Sequence, residues 1–154
     1  MPGSTKVHLL SDSFWHFIKI GYIPPYLPEA HDQNRVLMEA LASVADIYSR
    51  GGYFVIIDGI VGPWFPDVFM AIRSPIHYIV LLPPVEIAIK GCQERGGSEL
   101  SDAEPISDLH RQFSATGSLE RHVIQIKSNT PDEVILEIVR AIQSNAYLLE
   151  PANA

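Results

Sequence analysis

The stretch KVHLLSDSFWHF, residues 6–17, decides how the rest of the chain is interpreted. An apolar run is followed at once by Ser11 and Asp12, and then by aromatic residues that begin a helical pattern. A second run, Tyr53 to Ile57, is apolar throughout and also ends on an acid, Asp58. Continuously apolar strands are typical of parallel sheets that are covered on both faces. The stretch therefore predicts a parallel sheet with a carboxylate at the tip of two strands.

Strands and helices alternate along the rest of the chain. A third strand is predicted from Ile76 to Leu82, and a weaker fourth at 122–126. Helices are predicted between the strands, at about 65–73, 85–95 and 104–116. This alternation predicts an α/β domain over residues 1–154, with a parallel sheet of about four strands flanked by helices. Because ligands bind at the carboxyl ends of such strands, Asp12 and Asp58 are predicted to lie at the ligand edge.

Two further helices are predicted from apolar spacing and end signals. The first starts near Pro28, ends at Gly51-Gly52, and buries apolar residues at three- and four-residue spacing: Val36, Leu37, Leu41, Val44, Ile47 and Tyr48. The second starts after Thr130 as N-cap, with Pro131 in the first turn and Glu133 completing a capping box. Its predicted buried stripe is Val134, Ile135, Ile138 and Ile142.

Composition excludes several classes of function. A net charge of −7 argues against nucleic acid or an anionic membrane as the main partner. No apolar run reaches the ~18 residues of a membrane span, the first residues carry no signal pattern, and the single cysteine, Cys92, cannot form an intrachain disulfide. These features predict a cytoplasmic protein in which Cys92 is a structural thiol. The histidines show no paired metal spacing, so no metal site is predicted.

Three stretches carry a resemblance to a known family: VHLLSDSFWHFIKIGYIPPYLPEAHDQN, GGYFVIIDGIVGPWF and ERGGSELSDAEPISDLHRQF. Together, over roughly residues 2–145, they resemble the small-molecule kinase-like branch of the P-loop ATPases. That branch includes shikimate kinase, gluconate kinase, chloramphenicol phosphotransferase and zeta-toxin-type kinases. The resemblance implies a nucleoside-monophosphate-kinase-like P-loop NTPase fold. It also implies transfer of the γ-phosphoryl group of ATP, with Mg²⁺, to a hydroxyl of a small molecule.

The resemblance also implies roles for individual residues. Asp12 stands where the family places the carboxylate that takes the acceptor's proton, and Asp58 where an acid holds the water shell of Mg²⁺ or contacts the acceptor. Ser13 replaces the family's second acid, and Arg95 lies in the lid segment, with Lys90 and Arg111 as weaker candidates for the same role. The aromatic residues implied to line the acceptor are Phe14, Trp15, Tyr22 and Tyr26. The residues implied to lie along the adenine are Ser128, Asn129, Thr130 and Pro131.

Four of these residues also have a purely structural interpretation. Asp12 could cap the following helix, and Asp58 before a glycine could shape a turn. Arg95 could be a solvated charge favoured at a helix end, and Trp15 could belong to the core.

The phosphate-binding motif G-x-x-x-x-G-K-[ST] is absent from these 154 residues. The letters GSTK at residues 3–6 are in the wrong order and are interpreted as coincidence. By resemblance, the chain begins after the family's first strand, phosphate loop and first helix. The family's strand order is 2-3-1-4-5, so the middle strand is lost, which leaves a gap of about 10 Å. The sheet must then re-pair, borrow a strand from another chain or be unstable, and self-association is expected.

Two functional hypotheses follow. In the first, the full protein is an ATP-dependent phosphotransferase that lost its first unit by truncation or by a wrongly placed start, and this chain alone is inactive. In the second, the chain is a degenerate, non-enzymatic remnant that acts as a binding or assembly module. A hydrolase or reductase fragment is disfavoured, since neither G-x-S-x-G nor G-x-G-x-x-G occurs.

Overall fold

The computed structural model describes residues 5–95, 102–127 and 130–150. Within the domain predicted from the sequence, these residues group into two compact units. The first unit contains the chain up to Ile76 together with Leu149 and the residue after it, and the second contains His77–Leu148. Both units are mixed α/β, and each contains a two-stranded parallel sheet.

The first unit is built on strands β1 (Lys6–Leu10) and β2 (Phe54–Asp58). The strands pair in parallel, with Lys6 opposite Phe54 and Leu10 opposite Asp58. The helices of this unit are α1 (Asp12–Trp15), α2 (His31–Arg50), which follows a single 3₁₀ turn at Pro28–Ala30, and α3 (Pro66–Met70). Helix α2 contacts both strands and α3, so it supplies most of the cover for this sheet.

The second unit is built on strands β3 (Val80–Leu82) and β4 (Val123–Gln125), which also pair in parallel. Its helices are α4 (Val85–Arg95), α5 (Ala103–Ser114) and α6 (Pro131–Ser144), and a 3₁₀ segment at Gly117–His122 leads into β4. The His122 ring is buried and donates from Nδ1 to the Tyr78 carbonyl oxygen at 2.9 Å. This bond ties the segment before β4 to the segment before β3.

All four predicted strands are present, but among the described residues they form two sheets of two strands instead of one sheet of four. The third strand is also shorter than predicted. The first part of the predicted strand pairs antiparallel with residues 147–148, which lie near the carboxyl end of the chain. His77 bridges Leu148, and the Tyr78 N–H donates to the Tyr147 carbonyl at 2.9 Å. The apolar run from Ile76 to Leu82 therefore serves two different partners, which its composition does not reveal.

Within the first unit, the described residues cover one face of the sheet only, so the prediction that both faces are covered is not met there. Leu9 and Ile57 pack against the core, whereas Leu10 and Ile56 on the opposite face are 49% and 45% exposed. Successive residues of a strand point to opposite faces. Without a second layer, every other apolar side chain remains in contact with solvent.

The buried faces of the two long amphipathic helices differ in part from the predicted stripes. On α2 the buried residues are Leu37, Met38, Leu41, Ala42 and Ala45, while Val36, Ile47 and Tyr48 of the predicted stripe are exposed. On α6 the prediction is wrong for Ile135, which is exposed, and Ala141 is the buried residue. Alanine is small and lets a helix approach its neighbours closely. On both helices alanines therefore occupy buried positions, while some of the larger apolar residues that were predicted to be buried are exposed.

The end signals of both helices are confirmed. Gly52 follows α2 with a φ of +85°, a conformation that favours glycine. At α6 the Glu133 N–H donates to Thr130 Oγ1 at 3.4 Å, and the Thr130 N–H donates to Glu133 Oε2 at 2.7 Å. This is the capping box that the sequence predicts.

Candidate functional site at the carboxyl ends of β1 and β2

The structure brings Asp12 and Asp58 to the same edge of the first unit. The parallel register places Leu10 opposite Asp58, and the Ser11 N–H donates to the Asp58 carbonyl oxygen at 2.8 Å. This bond extends the pairing by one residue, and Asp12 follows directly. Both carboxylates are exposed, so a solute has access to them. We call this site the acidic edge, defined by Ser11, Asp12, Asp58 and Gly59.

Ser11 is the fully buried residue of the acidic edge, at 0% exposure. Its Oγ donates to Oδ1 of Asp12 at 3.2 Å. Gly59 packs directly against it: a Cβ at this position would lie 1.9 Å from Ser11 Oγ. Gly59 also has a φ of +136°, which L side chains rarely adopt. Sequence reasoning passed over both residues, although the small residue beside each acid was the available signal.

Asp58 has a different partner, His8 on β1. The two side chains approach at 3.5 Å between His8 Nε2 and Asp58 Oδ2, and both are more than half exposed. A contact this exposed contributes little to stability. His8 was also missed. The signal was strand periodicity, because His8 is two residues before Leu10 and so shares the face of Asp58.

The capping interpretation of Asp12 does not describe helix α1. The N-cap position is Ser11, no side chain makes a capping hydrogen bond, and the helix is four residues long. Asp12 lies in its first turn and is exposed, and Ser13 beside it is half-buried. Neither the Asp12 carboxylate nor the Ser11 hydroxyl is therefore used as a helix cap.

The aromatic residues of the predicted acceptor side divide into buried and exposed positions. Trp15 is 7% exposed, packs in the core, and donates from Nε1 to Asn34 Oδ1 at 3.0 Å. It therefore has almost no surface to offer an acceptor, and the core interpretation fits its placement. Phe14 also packs against this core. Tyr22 and Tyr26, by contrast, are exposed on the loop after α1.

That loop is held to α2 by two side-chain amides. Gln33 accepts the Ile23 N–H at 3.0 Å and donates to the Ile23 carbonyl at 2.7 Å. Asn34, which accepts from Trp15, also donates to the Pro25 carbonyl at 2.8 Å. These bonds fix the loop backbone between Tyr22 and Tyr26, so both tyrosines extend from an ordered segment.

The remaining predicted site residues belong to the second unit. Lys90 is 3.6 Å from Glu94 within α4, and Arg111 pairs with Asp108 within α5. Thr130 and Pro131 start α6, where the Thr130 side chain is used in the capping box. Ser128 and Asn129 lie outside the described residues. Arg95 is the last residue of α4, and its side chain is likewise outside the description.

A separate open cavity of about 610 Å³ lies between α2 and α3. Its rim is charged, but its arginines are paired: Arg35 is 2.7 Å from Asp67, and Arg50 is 2.8 Å from Asp46. The hydrogen bond from Arg50 is the main reason that the pKa of Asp46 lies below its usual range. A ligand there would have to displace existing ion pairs, so the cavity is a weaker candidate than the acidic edge.

Two broader classes of site are not found among the described residues. No three His, Cys, Asp or Glu side chains in residues 5–95, 102–127 and 130–150 are grouped as a metal site requires. Within the same ranges, no helix combines the length and the apolar character needed to cross a bilayer.

No protein-family model matches this chain, and no curated protein matches it either. The interpretation of the acidic edge therefore depends on its own geometry and on the resemblance described above.

Proposed function

We propose that the acidic edge is the acceptor site of a kinase-like phosphotransferase that acts on a hydroxyl of a small molecule. The observation that carries the proposal is the delivery of Asp12 and Asp58 to neighbouring carboxyl ends of two parallel strands. Asp12 is the group that orients the acceptor hydroxyl and takes its proton as the oxygen attacks the γ-phosphorus of ATP. Asp58 contacts the acceptor or the water shell of Mg²⁺.

The pairing of the strands supports the P-loop NTPase-like fold within this proposal. In the family's order 2-3-1-4-5, removal of strand 1 leaves the pairs 2-3 and 4-5, both parallel. The pairs found here are β1 with β2 and β3 with β4, also parallel. In this correspondence, β1 is the family's second strand, and Asp12 follows it as the catalytic carboxylate does in the family.

Phosphoryl transfer at the acidic edge also requires a phosphate cradle, which residues outside the acidic edge must supply. Phosphoryl transfer depends mainly on electrostatic stabilisation by the loop amides, the lysine and Mg²⁺. The 154 residues contain no G-x-x-x-x-G-K-[ST] motif. Arg95 as lid cation and residues 128–131 along the adenine belong to the same proposal. The absence of the motif also favours the second candidate function, a binding or assembly module that holds a hydroxylated ligand at the acidic edge without transferring phosphate.

A paramagnetic titration tests the proposal on the chain as it is. Mn²⁺·ATP, which replaces Mg²⁺·ATP, is added to the ¹⁵N-labelled protein, and amide line widths are compared with those in Mn²⁺ alone. We expect Mn²⁺·ATP to broaden the amides of residues 11–13 and 58–60 selectively. The Asp58→Asn variant should lose part of this broadening, whereas Asp32→Asn, which removes an exposed acid at the start of α2, should keep it.

The outcomes separate the two candidate functions. Absence of selective broadening at the acidic edge in folded protein contradicts the contact that we propose between Asp58 and the water shell of the ATP-bound metal ion. If the same amides instead shift with hydroxylated compounds in the absence of nucleotide, and this response is lost in Asp12→Asn, the binding-module function is supported. Formation of a phosphorylated acceptor, detected by ³¹P NMR, would support transfer directly.

A further inference from the structure

We propose that Ser11 is a positioning residue that fixes the orientation of the Asp12 carboxylate, and that Gly59 is required for it to do so. The catalytic consequence rests on the proposed function, because it concerns the base assigned there. The conformational claim stands on the geometry of this chain alone. It concerns three residues of the acidic edge, and neither composition nor the resemblance assigns Ser11 or Gly59 a role.

The backbone on both sides of Ser11 is held in place. Its N–H donates to the Asp58 carbonyl at 2.8 Å, and its own carbonyl accepts the Phe14 N–H at 2.9 Å. With the backbone fixed and the residue fully buried, the Ser11 hydroxyl has few positions available. The position that it occupies lies 3.2 Å from Oδ1 of Asp12, within hydrogen-bonding distance. A buried hydroxyl without a partner is costly, so this bond is favoured.

Gly59 closes the space on the other side of the hydroxyl. A Cβ at residue 59 would lie 1.9 Å from Ser11 Oγ, 3.0 Å from Ser11 Cβ and 3.4 Å from Asp12 Oδ1. Any side chain at 59 would therefore push the hydroxyl away from its present position and crowd the carboxylate. The glycine permits β2 to approach Ser11 closely enough that the hydroxyl is enclosed and directed at Asp12.

This arrangement distinguishes the two oxygens of Asp12. Oδ1 accepts from Ser11, so Oδ2 is the oxygen that the exposed carboxylate presents to an acceptor hydroxyl. A carboxylate that rotates freely presents both oxygens in many directions, and catalysis by a base depends on a fixed geometry. The structure thus assigns Ser11 an effect on the direction of proton transfer, exerted through Asp12 without contact with the acceptor.

The test measures the orientation of Asp12 in solution. Three-bond couplings from the Asp12 Cγ to the backbone nitrogen and carbonyl carbon report the population of its χ1 rotamers. In the wild-type chain we expect one dominant rotamer. Ser11→Ala should move the couplings toward averaged values, and Gly59→Ala should do the same. Ser13→Ala, which removes the neighbouring hydroxyl on α1, is the matched control and should leave the couplings unchanged.

Ser11→Cys keeps the unbranched shape of the side chain and replaces the hydroxyl with a larger and weaker donor, the thiol, so it serves if Ser11→Ala does not fold. We expect it to give intermediate couplings. Unchanged Asp12 couplings in folded Ser11→Ala or Ser11→Cys would overturn the inference, as would averaged couplings in the wild type.

The Mn²⁺·ATP titration answers a separate question. A rotamer change without nucleotide-dependent broadening leaves the positioning role intact and contradicts the metal contact proposed for Asp58. The reverse result contradicts the positioning role alone.

Discussion

Replacing Gly59 with alanine is the sharpest stability test of the acidic edge. Two effects act together. The φ of +136° is disfavoured for an L residue, which costs about 1–3 kcal/mol. The new Cβ would also lie 1.9 Å from Ser11 Oγ, and because Ser11 is fully buried, relieving the overlap costs about 1–3 kcal/mol more. We expect the free energy of unfolding to fall by about 2–6 kcal/mol, a large part of the stability of an ordinary domain.

The assay is urea unfolding at low temperature, with Gly52→Ala as the matched control. Gly52 also has a positive φ, +85°, but a Cβ there meets no atom within 4 Å. Its substitution carries backbone strain alone, about 1–2 kcal/mol. In the Ser11→Ala background, Gly59→Ala should be less destabilising than in the wild type, because the oxygen it overlaps is gone. Equal effects of Gly59→Ala and Gly52→Ala, or full additivity with Ser11→Ala, would refute the close packing described here.

Three further predictions concern the second unit. Thr130→Ala should lower the free energy of unfolding by about 1 kcal/mol in urea titrations, because it removes half of the α6 capping box; no loss would contradict the cap. Gly91→Ala lies inside α4, where an added Cβ would meet no atom within 4 Å, and should raise the free energy of unfolding by about 0.5–1 kcal/mol; a decrease would contradict this placement. Burial lowers the pKa of His77 below its ordinary value of 6.5, so this histidine binds a proton more readily in the unfolded chain than in the folded one. The free energy of unfolding should therefore fall as the pH drops below 6.5, and the His77→Asn variant should show a smaller fall between pH 7.5 and 5.5.

Local signals predicted the ends of three helices well because the interactions that carry them are local. Thr130 and Glu133 are three residues apart, so their capping box is readable from sequence and is present as predicted. Gly52 similarly ends α2 through its own backbone conformation. Helix α4 also has the predicted bounds, Val85–Arg95. In each case the deciding contacts lie within one or two turns of the chain.

Tertiary contacts decided what local patterns could not. Val36 and Ile47 fit the apolar stripe of α2, but the side that faces the sheet is set by where Met38 and Ala42 pack. Ile56 lies in a run that predicts burial on both faces, yet cover over its own face depends on elements outside β2. The division of the run from Ile76 to Leu82 follows from pairing with the end of the chain. None of these partners is encoded in the neighbouring residues.

The acidic edge contains one feature that the sequence predicts and one that it does not. That Asp12 and Asp58 share one edge was predictable, because two apolar strands each end on an acid and parallel pairing aligns their ends. The role of Ser11 was not predictable, since a serine before an acid and an aromatic helix equally describes an N-cap. The choice between the two depends on Gly59, which follows the other strand and packs closely against the hydroxyl that donates to Asp12. The positioning role of Ser11 is therefore recognised from the close approach of Gly59, which is distant in the sequence. Substitution of Gly59 is the way to test that role.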